Sequence, residues 1–123
     1  MLLVGVDITE ISRIERAATR TPRFLKRVYT ESELSYCYSK KNPYPSLAAR
    51  WAAKEAFHKL HPRLSSQVRF TEVEVGVGPG GKPELNLYGG AREKAWEVEL
   101  REIDVSLSHT RENAIAVVVA RIG

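Results

Sequence analysis

The order of hydrophobic patterns along the 123 residues predicts an α+β fold: a largely antiparallel sheet packed with one long and several short helices. Three observations carry this reading. An apolar strand-like run, LLVGV, opens the chain; helical spacings follow to about residue 60; the remainder is mostly alternating, strand-like sequence with one more helix.

The elements follow in order. Residues 2–7 read as a strand that stops at Asp7. Ile8, Ile11 and Ile14 then recur at helical spacing, so residues 10–19 read as a helix with Arg13, Arg16 and Arg20 more exposed. Asp7 or Thr9 can cap it, because a short side-chain oxygen there accepts from an early free N–H. Pro22 suits the first turn of a short helix through Arg27. Thr30 and Glu33 form a T-x-x-E capping box that starts a helix over 31–38. SKKNPYP is a polar, proline-marked loop. SLAARWAAKEAFHKL, residues 46–60, is the strongest helix, with Ser46 as cap and Pro62 beyond its end. RFTEVEVGV alternates as a strand over 69–77, with a phase shift near Thr71, and PELNLY continues as a strand after a glycine turn. Residues 90–99 make the last helix, and IDVSLSH and AIAVVVARI are two strands around the turn TREN. No repeat, low-complexity tract or linker interrupts this order, so residues 1–123 read as a single domain.

Composition narrows the class. Hydrophobic residues make up 43%, enough for the chain to fold rather than stay disordered. The net charge of +4 favours an acidic partner without naming its kind. Cys37 is the only cysteine, which rules out an intrachain disulfide and fits a reducing compartment. Its YCYSKK setting shows no other sign of a nucleophile. The N-terminus lacks a basic region, and Asp7 and Glu10 interrupt its apolar stretch, unlike a signal peptide. AIAVVVA, the longest apolar run, is too short to span a bilayer as a helix. A soluble, cytoplasmic protein with no membrane partner is expected.

Two patterns mislead. GVGPGGKP, residues 76–83, fits both G-x-G-x-x-G and G-x-x-x-x-G-K. Both need a helix after the glycines to hold phosphate on its N-terminus, whereas PELNLY reads as a strand. A hairpin turn is the better reading. His58, His61 and His109 make no zinc spacing with the lone cysteine.

The long helix is more informative. Glu55 and Lys59 are four residues apart and share a face. Taken alone they are an ordinary surface ion pair contributing about 0.3–0.5 kcal/mol. Ala48 and Ala52 lie on nearly the same side and would leave room for another element or a ligand. A second carboxylate at the end of an apolar strand, Asp7, would complete a hard-cation site, since Mg²⁺ takes one or two carboxylates together with phosphate oxygens and water.

These residues carry a resemblance. G-x-D-I-x-x-I-x-R-I at Gly5–Ile14 is similar to the opening motif of the bacterial holo-acyl-carrier-protein synthases, the small 4′-phosphopantetheinyl transferases. R-W-A-A-K-E-A-F-x-K at Arg50–Lys59, G-K-P at Gly81–Pro83 and V-S-L-S-H-T at Val105–Thr110 resemble the second, third and fourth motifs. RFLKRVYTESEL, residues 23–34, resembles the segment between the first two. The resemblance implies transfer of 4′-phosphopantetheine from coenzyme A to a serine of an apo acyl carrier protein, releasing adenosine 3′,5′-bisphosphate. It implies Asp7 and Glu55 as Mg²⁺ ligands, Glu55 or a metal-bound water as base, and Lys59 at the leaving phosphate. Arg50, Pro83, Ser108, His109 and Thr110 fall at coenzyme A positions, and Arg13 at a carrier-protein position. It also implies a homotrimer with clefts between subunits. Arg16, Arg20, Arg23, Lys26 and Arg27 would extend a basic surface toward an acidic carrier.

In one place the chain departs from the family: HPRLSSQ, residues 61–67, stands where a glycine-rich G-x-G turn usually follows the second motif. Arg63, Ser65 and Ser66 offer an alternative phosphate contact there. Two other readings compete. A small nucleic-acid-binding module fits the charge, but basic residues are not interleaved with aromatics on one strand face. A non-catalytic trimeric scaffold fits the fold, but sits poorly with the intact Asp7, Glu55 and Lys59 set.

Overall fold

A computed structural model describes residues 1–123. Its elements run β1 (Leu2–Glu10), α1 (Ile11–Arg20), α2 (Phe24–Val28), α3 (Glu31–Tyr38), α4 (Tyr44–His58), β2 (Val73–Val77), β3 (Pro83–Leu87), α5 (Gly89–Glu97), β4 (Leu100–His109) and β5 (Asn113–Ile122). The fold is α+β, as expected. Its strands divide between two antiparallel sheets, one ordered β1-β5-β4 and one formed by the β2–β3 hairpin.

Alternation along the strands decides which residues meet the helices. On β1, Gly5 and Thr9 are buried, Leu3 and Asp7 are half-buried, and Leu2, Val4, Val6 and Ile8 are exposed. On β5, Ala114, Ala116, Val118 and Ala120 are buried. These small inward residues let α4 lie very close to the sheet. A Cβ added at Gly5 would collide with the backbone carbonyl of Ala56, so only glycine fits there. Leu47, Ala48, Ala49, Arg50, Ala52, Ala53, Lys54, Ala56 and Phe57 are all buried, so α4 is a central helix rather than an amphipathic one. One hydrophobic cluster joins its second half to β2, β4 and β5, and another joins its first half to α1 and α3. The space beside Ala48 and Ala52 is thus filled by protein: both side chains are fully buried.

Several local expectations are corrected. β1 continues through Glu10 because every residue from Leu2 onward pairs with β5. Ile8 therefore lies on the strand's outer face, 65% exposed, and leaves Ile11 and Ile14 to bury α1. Neither Asp7 nor Thr9 caps α1; the Ile11 N–H donates instead to the Glu112 carbonyl at 2.8 Å. α2 starts at Phe24 rather than at Pro22, after Arg23 takes a left-handed turn with φ 70°. α4 starts at Tyr44, so Ser46 lies inside its first turn and is not its cap. Residues 70–72 form a 3-10 turn, which is the origin of the phase shift near Thr71. The capping box is present: Thr30 Oγ1 accepts from Glu33 N at 3.2 Å, and Glu33 Oε1 accepts from Thr30 N at 2.9 Å. Residues 78–82 turn the β2–β3 hairpin with Gly80 and Gly81 at positive φ, and no helix follows them.

Glu33 does more than cap. Lys54 Nζ, fully buried, donates to Glu33 Oε1 at 2.8 Å, to the Phe70 carbonyl at 2.9 Å and to the Val73 carbonyl at 2.7 Å. Glu33 Oε2 accepts from Val75 N at 2.8 Å. Burial pulls the Lys54 ammonium down from the ordinary lysine range, and Glu33 opposes that pull. All three ammonium donors are used, so the pair ties α3, α4 and β2 together. Lys54→Met strands a buried carboxylate, and urea unfolding is expected to show a loss of about 3–5 kcal/mol. A loss under about 1 kcal/mol would count against this role.

Candidate active site

Asp7 stands on the α4 side of β1, two residues past the Gly5 contact. Its Oδ2 accepts from the Thr9 hydroxyl at 2.7 Å and its Oδ1 from Lys59 Nζ at 3.1 Å. Lys59, just past the end of α4, also donates to the Val6 carbonyl at 3.1 Å. The Asp7 side chain is 15% exposed and the Lys59 side chain 54%. Glu55, one turn back on α4, is half-buried. Burial, and then the neighbouring Asp7 carboxylate, raise its carboxyl above the ordinary glutamate range; Lys59 and Arg13 oppose the rise. Arg13 reaches this group from the exposed side of α1, and its guanidinium lies 5.8 Å from the Trp51 ring centroid. The fold therefore gathers Asp7, Glu55, Lys59 and Arg13: two carboxylates, two cations.

That group can hold a divalent cation only with outside help. No three His, Cys, Asp or Glu side chains come together anywhere in the chain. Two adjacent carboxylates, one of them half-buried, fit a magnesium site whose other ligands are phosphate oxygens and water.

The remaining predicted residues lie elsewhere on the chain. Arg50 is buried and sits roughly 140° round α4 from Glu55. It pairs with neither Glu31 nor Glu33. Its guanidinium lies over the Tyr36 ring at 4.5 Å, its Nη1 donates to the Ser46 carbonyl at 3.5 Å, and its Nε has no partner. Lys40 Nζ lies 4.8 Å from the same ring. Lys40 and Tyr36 thus join Arg50 in a cationic cluster that sequence reasoning missed; the SKK run was the only signal. Ser108 and His109 end β4 and Thr110 begins the following turn, all exposed. His109 pairs across β5 with Ala114, which pairs with Thr9, so it stands about 10 Å across the sheet from β1. Thr110 Oγ1 accepts from the backbone of Glu112 at 3.3 Å and Asn113 at 3.1 Å, which shapes that turn. Pro83 opens β3 and lines a groove with Lys82, Asp104, Ser106 and Leu107. Lys82 pairs with Asp104 at 2.6 Å, both largely exposed. Two other hollows flank exposed Trp96 and include none of these residues.

Polar groups of the 61–67 segment are engaged within the segment and with α5. Arg63 N donates to His61 Nδ1 at 3.1 Å, Ser65 Oγ donates to the Pro62 carbonyl at 2.6 Å, and the Arg63 guanidinium pairs with Glu97 at 2.8 Å. These contacts compete with the expected use of Arg63 and Ser65 as phosphate donors.

Comparison with known proteins shows the family. A family model described as the 4′-phosphopantetheinyl transferase superfamily matches residues 3–118. A protein of Dehalococcoides mccartyi named holo-[acyl-carrier-protein] synthase is 48% identical, covering 98% of this chain and 99% of that one. A Moorella thermoacetica protein of the same name is 44% identical, covering 95% and 91%. A solved structure described as the Chronobacterium ammoniagenes ACPS–CoA complex aligns with TM-score 0.88 at 28% identity, covering 100% of this chain and 98% of that one. With a family model and near-full-length relatives in agreement, this chain belongs to the 4′-phosphopantetheinyl transferase superfamily.

Proposed function

We propose that this chain is a holo-acyl-carrier-protein synthase: it moves 4′-phosphopantetheine from coenzyme A to a serine hydroxyl of an apo acyl carrier protein. The convergence of Asp7, Glu55, Lys59 and Arg13 carries the reading. Full-length relatives bearing that name support it, as does the close likeness to a coenzyme A complex. In the reaction the serine oxygen forms a bond to the phosphorus that bears pantetheine. The bond from that phosphorus to the oxygen of the nucleotide phosphate breaks, and adenosine 3′,5′-bisphosphate leaves.

Each residue then has work that its position suits. Asp7 and Glu55 would hold Mg²⁺, which when bound offsets charge on the diphosphate of coenzyme A. Glu55, or a water held beside it, would take the serine proton. Lys59, half-exposed on a flexible stem, can meet the leaving phosphate. Arg13 and the exposed Arg16, Arg20, Arg23, Lys26 and Arg27 face the acidic carrier. Arg50, with Lys40 over Tyr36, suits a nucleotide phosphate, and Pro83, Ser108, His109 and Thr110 complete the coenzyme A cleft.

In one chain these coenzyme A positions stand apart from the carboxylates, and a homotrimer unites them across subunits. The outer face of the β1-β5-β4 sheet supports that assembly: Leu2, Val4, Val6, Ile8 and Ile115 form an exposed apolar surface. The chain acts as a single catalytic domain in the cytoplasm, on carriers of acyl-chain (fatty-acid or polyketide) synthesis. No helix is long and apolar enough to cross a membrane.

Intact-mass spectrometry of an apo carrier protein, incubated with this protein, coenzyme A and Mg²⁺, is expected to show the gain of one phosphopantetheine. Glu55→Gln is expected to slow the gain roughly 10²–10⁴-fold, and a chelator to abolish it. No gain with several carrier proteins would overturn the assignment and favour a scaffold. Val4→Asp places a charge in the apolar sheet face, and light scattering should show the loss of trimer together with activity. A fully active monomer would sink the shared cleft. The raised Glu55 carboxyl also predicts a stability effect. A carboxyl that holds its proton more tightly folded than unfolded stabilises the fold at low pH and loses that contribution as pH rises through its folded pKa. Without metal, Glu55→Gln should therefore raise the Tm relative to the parent at pH 7.5, with the gain shrinking toward pH 4. Calorimetry showing a gain that grows toward pH 4 would reverse the sign.

A further inference from the structure

The carboxylate pair is already neutralised before any metal arrives. Asp7 and Glu55 bring two negative charges, and Lys59 and Arg13 bring two positive ones. Lys59 makes the closest of these contacts, 3.1 Å to Asp7 Oδ1, on the carboxylate that would hold a metal. Its second anchor is a neutral carbonyl, that of Val6, also at 3.1 Å. More than half of its side chain is exposed, so water stands ready to replace both contacts. By contrast the other lysine–carboxylate pair of α4, Lys54–Glu33, is dry and fully bonded.

A dication entering this balanced site alone would leave it with a surplus of positive charge. The surplus disappears if a diphosphate enters too and draws the lysine to itself. We propose that Lys59 is the resident counter-ion of the Asp7–Glu55 pair: it occupies Asp7 in the empty enzyme and transfers to the phosphates of coenzyme A. Divalent metal and coenzyme A therefore bind with positive coupling. Linkage makes this reciprocal, so each ligand tightens the other by the same factor. The inference rests on the metal and coenzyme A reading above, and adds to it an order of events and a second task for Lys59 in the unliganded protein.

Free Mn²⁺ measured by electron paramagnetic resonance tests the idea on the whole protein, with and without coenzyme A, each corrected for Mn²⁺ held by coenzyme A alone. Without coenzyme A, Lys59→Gln should bind Mn²⁺ about tenfold more tightly than the parent protein, the scale of removing one unit charge a few ångströms away. Lys59→Arg keeps the charge and should bind as weakly as the parent. Coenzyme A should tighten Mn²⁺ binding far more in the parent than in Lys59→Gln. Equal or weaker Mn²⁺ binding by Lys59→Gln, with Asp7→Asn abolishing binding, would overturn the counter-ion role and leave the metal site intact. Mn²⁺ binding undiminished by Asp7→Asn would overturn the metal site and the counter-ion role together.

Discussion

The close approach of Gly5 on β1 to the Ala56 carbonyl of α4 is the constraint on which the site depends. It brings strand and helix nearer than any side chain would allow. Asp7 is two residues beyond Gly5 and so faces the same way. Glu55 and Lys59 lie one residue before Ala56 and three after it. The strand–helix contact therefore delivers a carboxylate to a helix turn that carries another carboxylate and a lysine. Alanines at 52, 53, 116 and 120 support the approach, since larger residues at these buried positions would prop the layers apart. The abundance of alanine in the long helix is a packing device that sets how closely strand and helix lie.

One helix carries two lysine–carboxylate pairs with opposite physics. Lys54 and Glu33 are sealed from water, and their polar atoms are engaged by backbone groups as well as by each other. Breaking such a pair is costly, so it anchors α4 against α3 and β2. Lys59 and Asp7 make one ionic contact beside open solvent. Such a contact is weak and exchanges readily. The rigid pair holds the helix in place, while the loose pair is free to trade partners, as the proposed counter-ion exchange requires.

Much of this was legible in the residue order. The capping box at Thr30 and Glu33, the helix over AARWAAKEAF and the glycine hairpin at 78–82 are local features, and local chemistry decided them. Ile8 was misread because three-residue spacing suits a helix, yet continuous pairing with β5 held it in the strand. The start of β2 was blurred because a 3-10 turn inserts an odd step into the alternation. In the site, the types and spacing of Glu55 and Lys59 suggested ion chemistry, the needs of a hard cation made Asp7 a candidate partner, and the resemblance joined all three. That union is a contact across some fifty residues, which spacing cannot reveal. The stacking of Arg50 on Tyr36 joins α4 to α3, and Lys40, just past the end of α3, reaches the same ring; the residue types alone do not announce that meeting.

β1 serves both the chemistry and the proposed assembly through its period of two. Gly5, Asp7 and Thr9 face α4 and build the site, while Val4, Val6 and Ile8 face outward and form the apolar surface offered to a neighbour. A slip of one residue would exchange the two sets, sending the carboxylate to the outer face and branched apolar chains against Ala56. Nine consecutive pairs with β5, from Leu2–Arg121 to Glu10–Asn113, prevent that slip. The glycine reinforces them, because no other residue of the strand fits against the helix at that point. Register thus ties the two faces together: the pairing that points Asp7 at Lys59 also turns the apolar face of β1 outward, where the proposed assembly would use it.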